Sequence, residues 1–270
     1  MHRVGIDLGG TKIEGIVLDP SGRELVRRRV PTAQERGYEA ILDTIADLYR
    51  GIVQEVGAPA HTFGIGTPGA ISPRTGLLKN SNTLCLNGRP VDRDLAALLD
   101  RPVRIENDAN CFALAEARQG AGRGAHLVFG VIMGTGCGGG LVIDGQAWTG
   151  RQAIGGEWGH MVLQPGGAPC YCGHRGCVET LISGGGLERR WREERGAERP
   201  LREIVADFHR GDTVARVFMA QFFAHFGQAL ANLINVLDPD VVVLGGGVSK
   251  IDDLYTTGVA EVAQRVFSDH

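Results

Sequence analysis

Apolar positions along this chain follow two rhythms, one strand-like and one helical. Val4-Gly5-Ile6-Asp7-Leu8 reads as a buried strand running into Gly9-Gly10-Thr11. Lys12 to Leu18 alternates as a return strand would, and Asp19-Pro20-Ser21-Gly22 turns it into a third strand over Arg23 to Val30. The rhythm then changes. Ile41, Ile45, Leu48, Ile52 and Val56 fall at helical spacing, predicting a helix over Tyr38 to Val56. Phe63 to Gly66 is a short strand stopped by Thr67-Pro68-Gly69, and a loop-rich stretch runs from Ala70 to Pro90. Val91 to Leu99 reads as a helix and Val103 to Ile105 as a strand. That strand ends at Glu106-Asn107-Asp108, and Ala109 to Arg118 is the helix after it.

Leu127 to Met133 restarts the series. An apolar strand meets Gly134-Thr135-Gly136-Cys137-Gly138, returns over Gly139 to Ile143 and turns at Asp144-Gly145. This repeats the strand, glycine loop, strand and turn of the N-terminus, a weak internal duplication. It predicts an α/β fold of two lobes, residues 1–118 and 119–270, with a hinge near Gly120, Gly122 and Gly124. Val214 to Leu237 is a long helical pattern ended by Asp238-Pro239-Asp240. Val241 to Leu244 is a buried strand before Gly245-Gly246-Gly247.

The 270 residues suffice for two such lobes. A formal charge of −3 favours neither nucleic acid nor an anionic membrane. No unbroken run of about 18 apolar residues suggests a membrane span, and Met1 to Asp7 lacks the pattern of a signal peptide. Glycine is the compositional outlier, at 41 residues. It clusters at Gly9-Gly10, Gly134 to Gly140, Gly184 to Gly186 and Gly245 to Gly247. Clusters of this kind at strand ends bring backbone close to a ligand, often a phosphate.

The chemistry-bearing residues are unevenly spread. Asp7-Leu8-Gly9-Gly10-Thr11-Lys12 sets a carboxylate before glycine amides and a hydroxyl, a pattern able to hold phosphate and, through Asp7, Mg²⁺. Taken alone it is equally a tight hairpin with a polar cap. Gly134-Thr135-Gly136 repeats the design, and Gly245-Gly246 offers a flat approach for adenine or ribose. Asn107-Asp108 precedes a helix, where it reads either as an N-cap or as a general base for a hydroxyl. The most specific signal is His160-x9-Cys170-x-Cys172-x4-Cys177, the donor set of a tetrahedral zinc site. His174 is a spare ligand, and Glu157 and Glu179 bracket the cluster. Cys85, Cys111 and Cys137 are scattered singly. Together the cysteines suit a reducing cytoplasm better than a disulfide scaffold.

Taken in order, these motifs, with Glu106-Asn107-Asp108-Ala109-Asn110, Glu157-x-Gly159-His160, Cys177-x-Glu179 and Asp238-Pro239-Asp240, resemble the ROK family of bacterial sugar kinases over essentially the whole chain. The resemblance implies a two-lobed actin-like ATPase (ribonuclease H-like) sugar kinase fold with a zinc loop at about 155–180. It implies ATP and Mg²⁺ as cofactors, a structural Zn²⁺ and a homodimer. Asp108 would be the catalytic base. Asn107, Glu157, His160 and Glu179 would bind sugar hydroxyls, and His160, Cys170, Cys172 and Cys177 would hold zinc. Asp7, Gly9, Gly10, Thr11, Lys12, Gly134, Thr135, Gly136, Gly245 and Gly246 would face ATP. Ile71 to Gly76, Leu86-Asn87-Gly88, Gly134 to Gly138, Cys170-Tyr171-Cys172-Gly173 and Glu179 to Gly184 look most like the fructokinase (manno-fructokinase) branch, implying fructose as acceptor. The N-acetylglucosamine kinase branch is the near rival, ahead of mannose or glucose kinases. Some members are regulators carrying a helix-turn-helix, for which a first strand at Val4 leaves no room. A non-catalytic sugar-binding protein is the other class. One departure stands out: the usual C-terminal turn and last helix are missing after Phe267-Ser268-Asp269-His270.

Overall fold

In a computed structural model that describes residues 1–268, the chain divides into two compact units. The chain end read at Asp269 and His270 lies outside the described residues. The first unit holds Met1–Cys111 with Thr149–Ile154, and the second holds Phe112–Trp148 with Gly155 onward.

In the first unit β1 (His2–Leu8), β2 (Lys12–Leu18) and β3 (Glu24–Pro31) form an antiparallel meander. Helix α1 (Tyr38–Glu55) follows, and then β4 (His61–Thr67) pairs parallel to β1. The small hairpin β5 (Ala70–Ile71) and β6 (Leu78–Lys79) breaks up the loop-rich stretch. Helix α2 (Val91–Leu99) leads to β7 (Arg104–Asn107), parallel to β4, and to α3 (Asp108–Gln119). The sheet order is β3-β2-β1-β4-β7. The period-four apolar face of α1 explains its place: Ile41, Ile45 and Ile52 are fully buried with Val4, Ile6, Leu8 and Ile13 of the sheet. Register then sets the site. Asp7 pairs with Gly66, and Gly66 with Glu106, in one row near the C-terminal ends of three parallel strands. Ligands of open α/β sheets collect at such ends.

The second unit repeats the plan. β8 (Leu127–Met133), β9 (Cys137–Ile143) and β10 (Gln146–Ala147) are an antiparallel meander. Four helices follow: α4 (Val178–Ile182), α5 (Gly184–Arg195), α6 (Leu201–His209) and α7 (Thr213–Leu237). β11 (Val241–Gly245) returns parallel to β8, and α8 (Thr257–Ala263) comes last among the described helices. The order β10-β9-β8-β11 matches β3-β2-β1-β4 strand for strand, which supports the duplication read from the sequence.

Helix α7 meets the length and composition of a membrane-crossing segment, with a mean hydropathy of 1.2. Its apolar surface is occupied, however. Phe218, Phe222, Phe223 and Phe226 are at most 2 % exposed and join Phe129, Val131 and Trp158 in one core. Burying each such ring is worth on the order of 2–3 kcal/mol.

The boundary between the units falls after Cys111, inside α3, rather than at 118/119. Ala113 and Ala117 of α3 are buried with Val128, Val142 and Val243, so that part of the helix packs with the second unit. Within the expected hinge, Gly122 N–H bonds back to Glu116 O at 3.1 Å, and a Cβ on Gly122 would collide with Val128. The glycines at 184–186 were read with those at strand ends. They instead open α5.

Candidate active site

Asp108 is the first residue of α3. The capping role that an Asn-Asp pair can play falls to Asn107, whose Oδ1 accepts from Ala109 N at 3.0 Å and Asn110 N at 3.2 Å. Asn107 Nδ2 donates to Gly69 O at 3.3 Å. Its amide, read as a sugar ligand, therefore already holds the helix start and the 67–69 turn. Glu106 braces the same corner, accepting from Asn107 N at 2.8 Å and Asn110 Nδ2 at 2.9 Å. Asp108 Oδ1 accepts from Ala109 N at 2.8 Å. Acid crowds this corner. Burial pushes the Cys111 thiol up to about 12, helped by the charges of Glu106, Asp108 and Asp7.

The Gly9-Gly10-Thr11 turn is closed by Gly9 N–H to Lys12 O at 2.9 Å. Thr32 ties it from outside, N–H to Thr11 O at 3.1 Å and Oγ1 to Gly9 O at 2.6 Å. Lys12 is the first residue of β2 and is exposed.

In the second unit the Gly134-Thr135-Gly136 turn joins β8 to β9, with Gly134 N–H on Gly136 O at 2.9 Å. Helix α5 starts directly on this turn. Gly184 N–H donates to Gly134 O at 2.7 Å and Gly185 N–H to Thr135 O at 3.2 Å. A Cβ on Gly184 or Gly185 would run into those carbonyls, so the glycine pair is there to let backbone meet backbone. Ser183 Oγ caps the helix, accepting Gly186 N–H at 3.0 Å. Beside the turn lies a cavity of about 670 Å³ lined by Gly134, Thr135, Gly185, Glu188, Val205 and Lys250, among others. Its size suits a nucleotide. Of the C-terminal glycines, Gly247 lines it. Gly245 backs onto Phe112 and Gly246 onto the backbone of Met133, so these two are occupied by packing.

Glu157 precedes the short 3-10 turn Trp158–His160, which Trp158 anchors through Nε1 to Gly138 O at 2.9 Å. The donor atoms of His160, Cys170, Cys172 and Cys177 all lie within 4.8 Å of one another. Cys172 Sγ and Cys177 Sγ are 3.6 Å apart, as are Cys170 Sγ and His160 Nδ1. Tetrahedral zinc with bonds of about 2.3 Å to sulfur needs edges of roughly 3.8 Å, so the set fits that ion. Burial pushes the Cys177 thiol up to about 12; a divalent cation reverses that preference. His174 Nδ1 sits 3.6 Å from Cys172 Sγ, outside the group of four.

The backbone around these ligands is pinned. Val162 bridges Cys177 and Pro169 bridges Arg175. Gly176, at φ 72°, takes Leu163 and Gln164 N–H on its carbonyl, and any Cβ there would collide with Gln164 O. Glu179 in the first turn of α4 accepts Cys137 N–H at 3.0 Å through Oε2, while Oε1 lies 3.9 Å from Cys170 Sγ. Read as a sugar ligand, this carboxylate also fastens the metal loop to the start of β9.

The comparisons with known proteins bear on this arrangement. The profile of the ROK family matches residues 3–270. The chain belongs to the ROK family. Among its relatives is an N-acetyl-D-glucosamine kinase of Yersinia enterocolitica, 38 % identical over 93 % of this chain and 86 % of the relative. Another from Escherichia coli is 39 % identical over 95 % and 87 %. A ROK hexokinase structure from Thermus thermophilus superposes with a TM-score of 0.87 at 36 % identity, covering 98 % of this chain and 89 % of that one. A ROK glucokinase from Streptomyces griseus, in complex with glucose and AMPPNP, gives 0.80 at 29 % identity over the same shares. The ROK fold expected from the motifs is therefore the fold present.

In this ROK chain the sequence motif around Tyr171 gave no sign of its contact with His160. Tyr171, between two cysteine ligands, places its hydroxyl 3.1 Å from His160 Nε2, with the two rings edge to face at 87°. Burial, then Glu179 and Glu157, hold its phenol above the ordinary range. Glu188, Val205 and Lys250 escaped the sequence reading, because a cavity wall drawn from separate elements leaves no periodic trace.

Proposed function

We propose that this ROK chain transfers the γ-phosphoryl group of ATP to a hexose hydroxyl. The observation that carries the reading is the nucleotide-sized cavity beside the Gly134–Gly136 turn. In this reading the turn and its Gly9–Thr11 counterpart hold the phosphates. Asp7 would hold Mg²⁺, which when bound would supply charge neutralisation at the phosphates. Asp108 takes the proton of the attacking hydroxyl as oxygen meets the γ-phosphorus in line and ADP departs. Asn107, Glu157, His160 and Glu179 orient the remaining hydroxyls. Zinc serves as scaffold, because four protein donors leave it no open position. The free thiols suit a reducing cytoplasm, and the family resemblance favours a homodimer.

The acceptor needs revision. Fructose is the sequence expectation, yet the relatives compared are N-acetyl-D-glucosamine kinases at 38–39 % identity. Their support moves the preferred acceptor to N-acetylglucosamine, with glucose, mannose and fructose behind it. ADP release measured over these four sugars tests both levels. N-Acetylglucosamine should turn over fastest. Release with none of them would remove the kinase reading and leave a sugar-binding protein.

A further inference from the structure

We infer that Tyr171 is a selectivity residue of the acceptor site, holding the sugar-facing nitrogen of His160 until a sugar hydroxyl replaces it. The inference rests on the hexose reading above and goes beyond it by naming a residue outside the expected ligand set.

His160 Nδ1 faces Cys170 Sγ at 3.6 Å, within the group of four donors. Its other nitrogen, Nε2, is then the one left for a substrate. That nitrogen is not facing open solvent. It meets Tyr171 Oη at 3.1 Å, and the ring centroids stand 5.1 Å apart at 87°. When Nδ1 gives its lone pair to a cation, the neutral imidazole carries its proton on Nε2. His160 then donates, and the tyrosine oxygen accepts. A sugar hydroxyl making the same bond must displace that oxygen.

The placement of Tyr171 suits such an exchange. Its backbone is fixed on both sides, because Cys170 and Cys172 belong to the metal group and Cys170 N–H bonds His174 O at 2.9 Å. Its side chain is 61 % exposed, so it can turn aside without opening a core. A turned ring still stands next to His160 and beside whatever substituent the bound carbon carries. Its hydroxyl tunes affinity by competition, and its bulk tunes which substituents fit.

Two substitutions separate these effects. Tyr171→Phe removes the competing oxygen and keeps the ring. KM for the preferred sugar should fall by about three- to tenfold, the worth of one hydrogen bond, with kcat unchanged. Tyr171→Ala removes the ring, and the ratio of kcat/KM between N-acetylglucosamine and glucose should shift by about tenfold or more. Both variants should keep one equivalent of zinc by elemental analysis; if the alanine variant loses it, the phenylalanine variant decides. An unchanged KM in the phenylalanine variant, or parallel changes for all sugars in the alanine variant, would overturn the proposal. Calorimetric titration of the wild-type chain with each sugar, without nucleotide, keeps the two readings apart. Absence of sugar binding there defeats the hexose reading itself, whereas sugar binding with unaltered selectivity in the variants defeats only the role of Tyr171.

Discussion

At the residue scale, Asp108, the base in the proposed reaction, directly follows the residue that caps α3. Asn107 Oδ1 accepts from the Ala109 and Asn110 amides, and Asp108, at the first helical position, shares the Ala109 amide through Oδ1. Replacing Asp108 by Asn should lower kcat by about 10²–10⁴-fold and leave sugar affinity within a few-fold, as checked by turnover and calorimetry. The pair Asn107-Asp108 was legible as a cap or a base, but sequence could not say which residue did which. Tyr171 was legible only as part of the Cys170-Tyr171-Cys172-Gly173 motif, not as a partner of His160. Its meeting with His160 depends on the Cys170–Cys172 turn folding back, and no spacing rule encodes that. Gly176 makes a second residue-scale case. Its φ of 72° and its closeness to Gln164 O leave no room for a side chain. Gly176→Ala should cost more than about 2 kcal/mol, seen as a lower Tm together with zinc below half an equivalent.

At the element scale, strands and amphipathic helices announced themselves where one face is buried and the other wet. The β1-β2-β3 meander and α1 lie within two residues of their expected bounds at each end. Helix α5 gave no such notice. It opens on three glycines and is charged along most of its length, with Leu187 and Trp191 as its buried apolar seam. Its start is dictated by contact with the Gly134–Thr135 backbone, a tertiary cause that local propensity cannot report. Helix α7 carries a titratable group in its packed length. Burial depresses the His225 pKa below 6.5, and the Arg190 charge adds to it. The neutral ring is favoured in the folded state, so its contribution to stability is present above pH 6.5 and is lost as pH falls through the lowered value. His225→Leu should flatten the decline of Tm as pH falls below 6.5, as followed by calorimetry.

At the scale of the whole molecule, the duplicated topology was readable because each half repeats strand, glycine turn, strand. The exact boundary was not, since α3 runs through it and its alanines look alike on both sides of Cys111. That His160, Cys170, Cys172 and Cys177 come together was readable because ligand type and short spacing narrow the possibilities. What spacing could not reveal is where the clip leads. Cys177 immediately precedes α4. Glu179 of α4 holds the Cys137 amide at the foot of β9, and α5, next in the chain, holds Gly134 and Thr135 beside the cavity. The metal clip and the nucleotide cavity therefore share one short run of backbone. Two sites on a common support exchange free energy in both directions and by equal amounts. Chelating the zinc should weaken ATP binding, and saturating ATP should slow the loss of zinc to a chelator by the matching factor if release is limited by metal affinity. On the proposed reading, a metal bound at the clip would then act as a silent co-ligand of the nucleotide, felt through backbone alone.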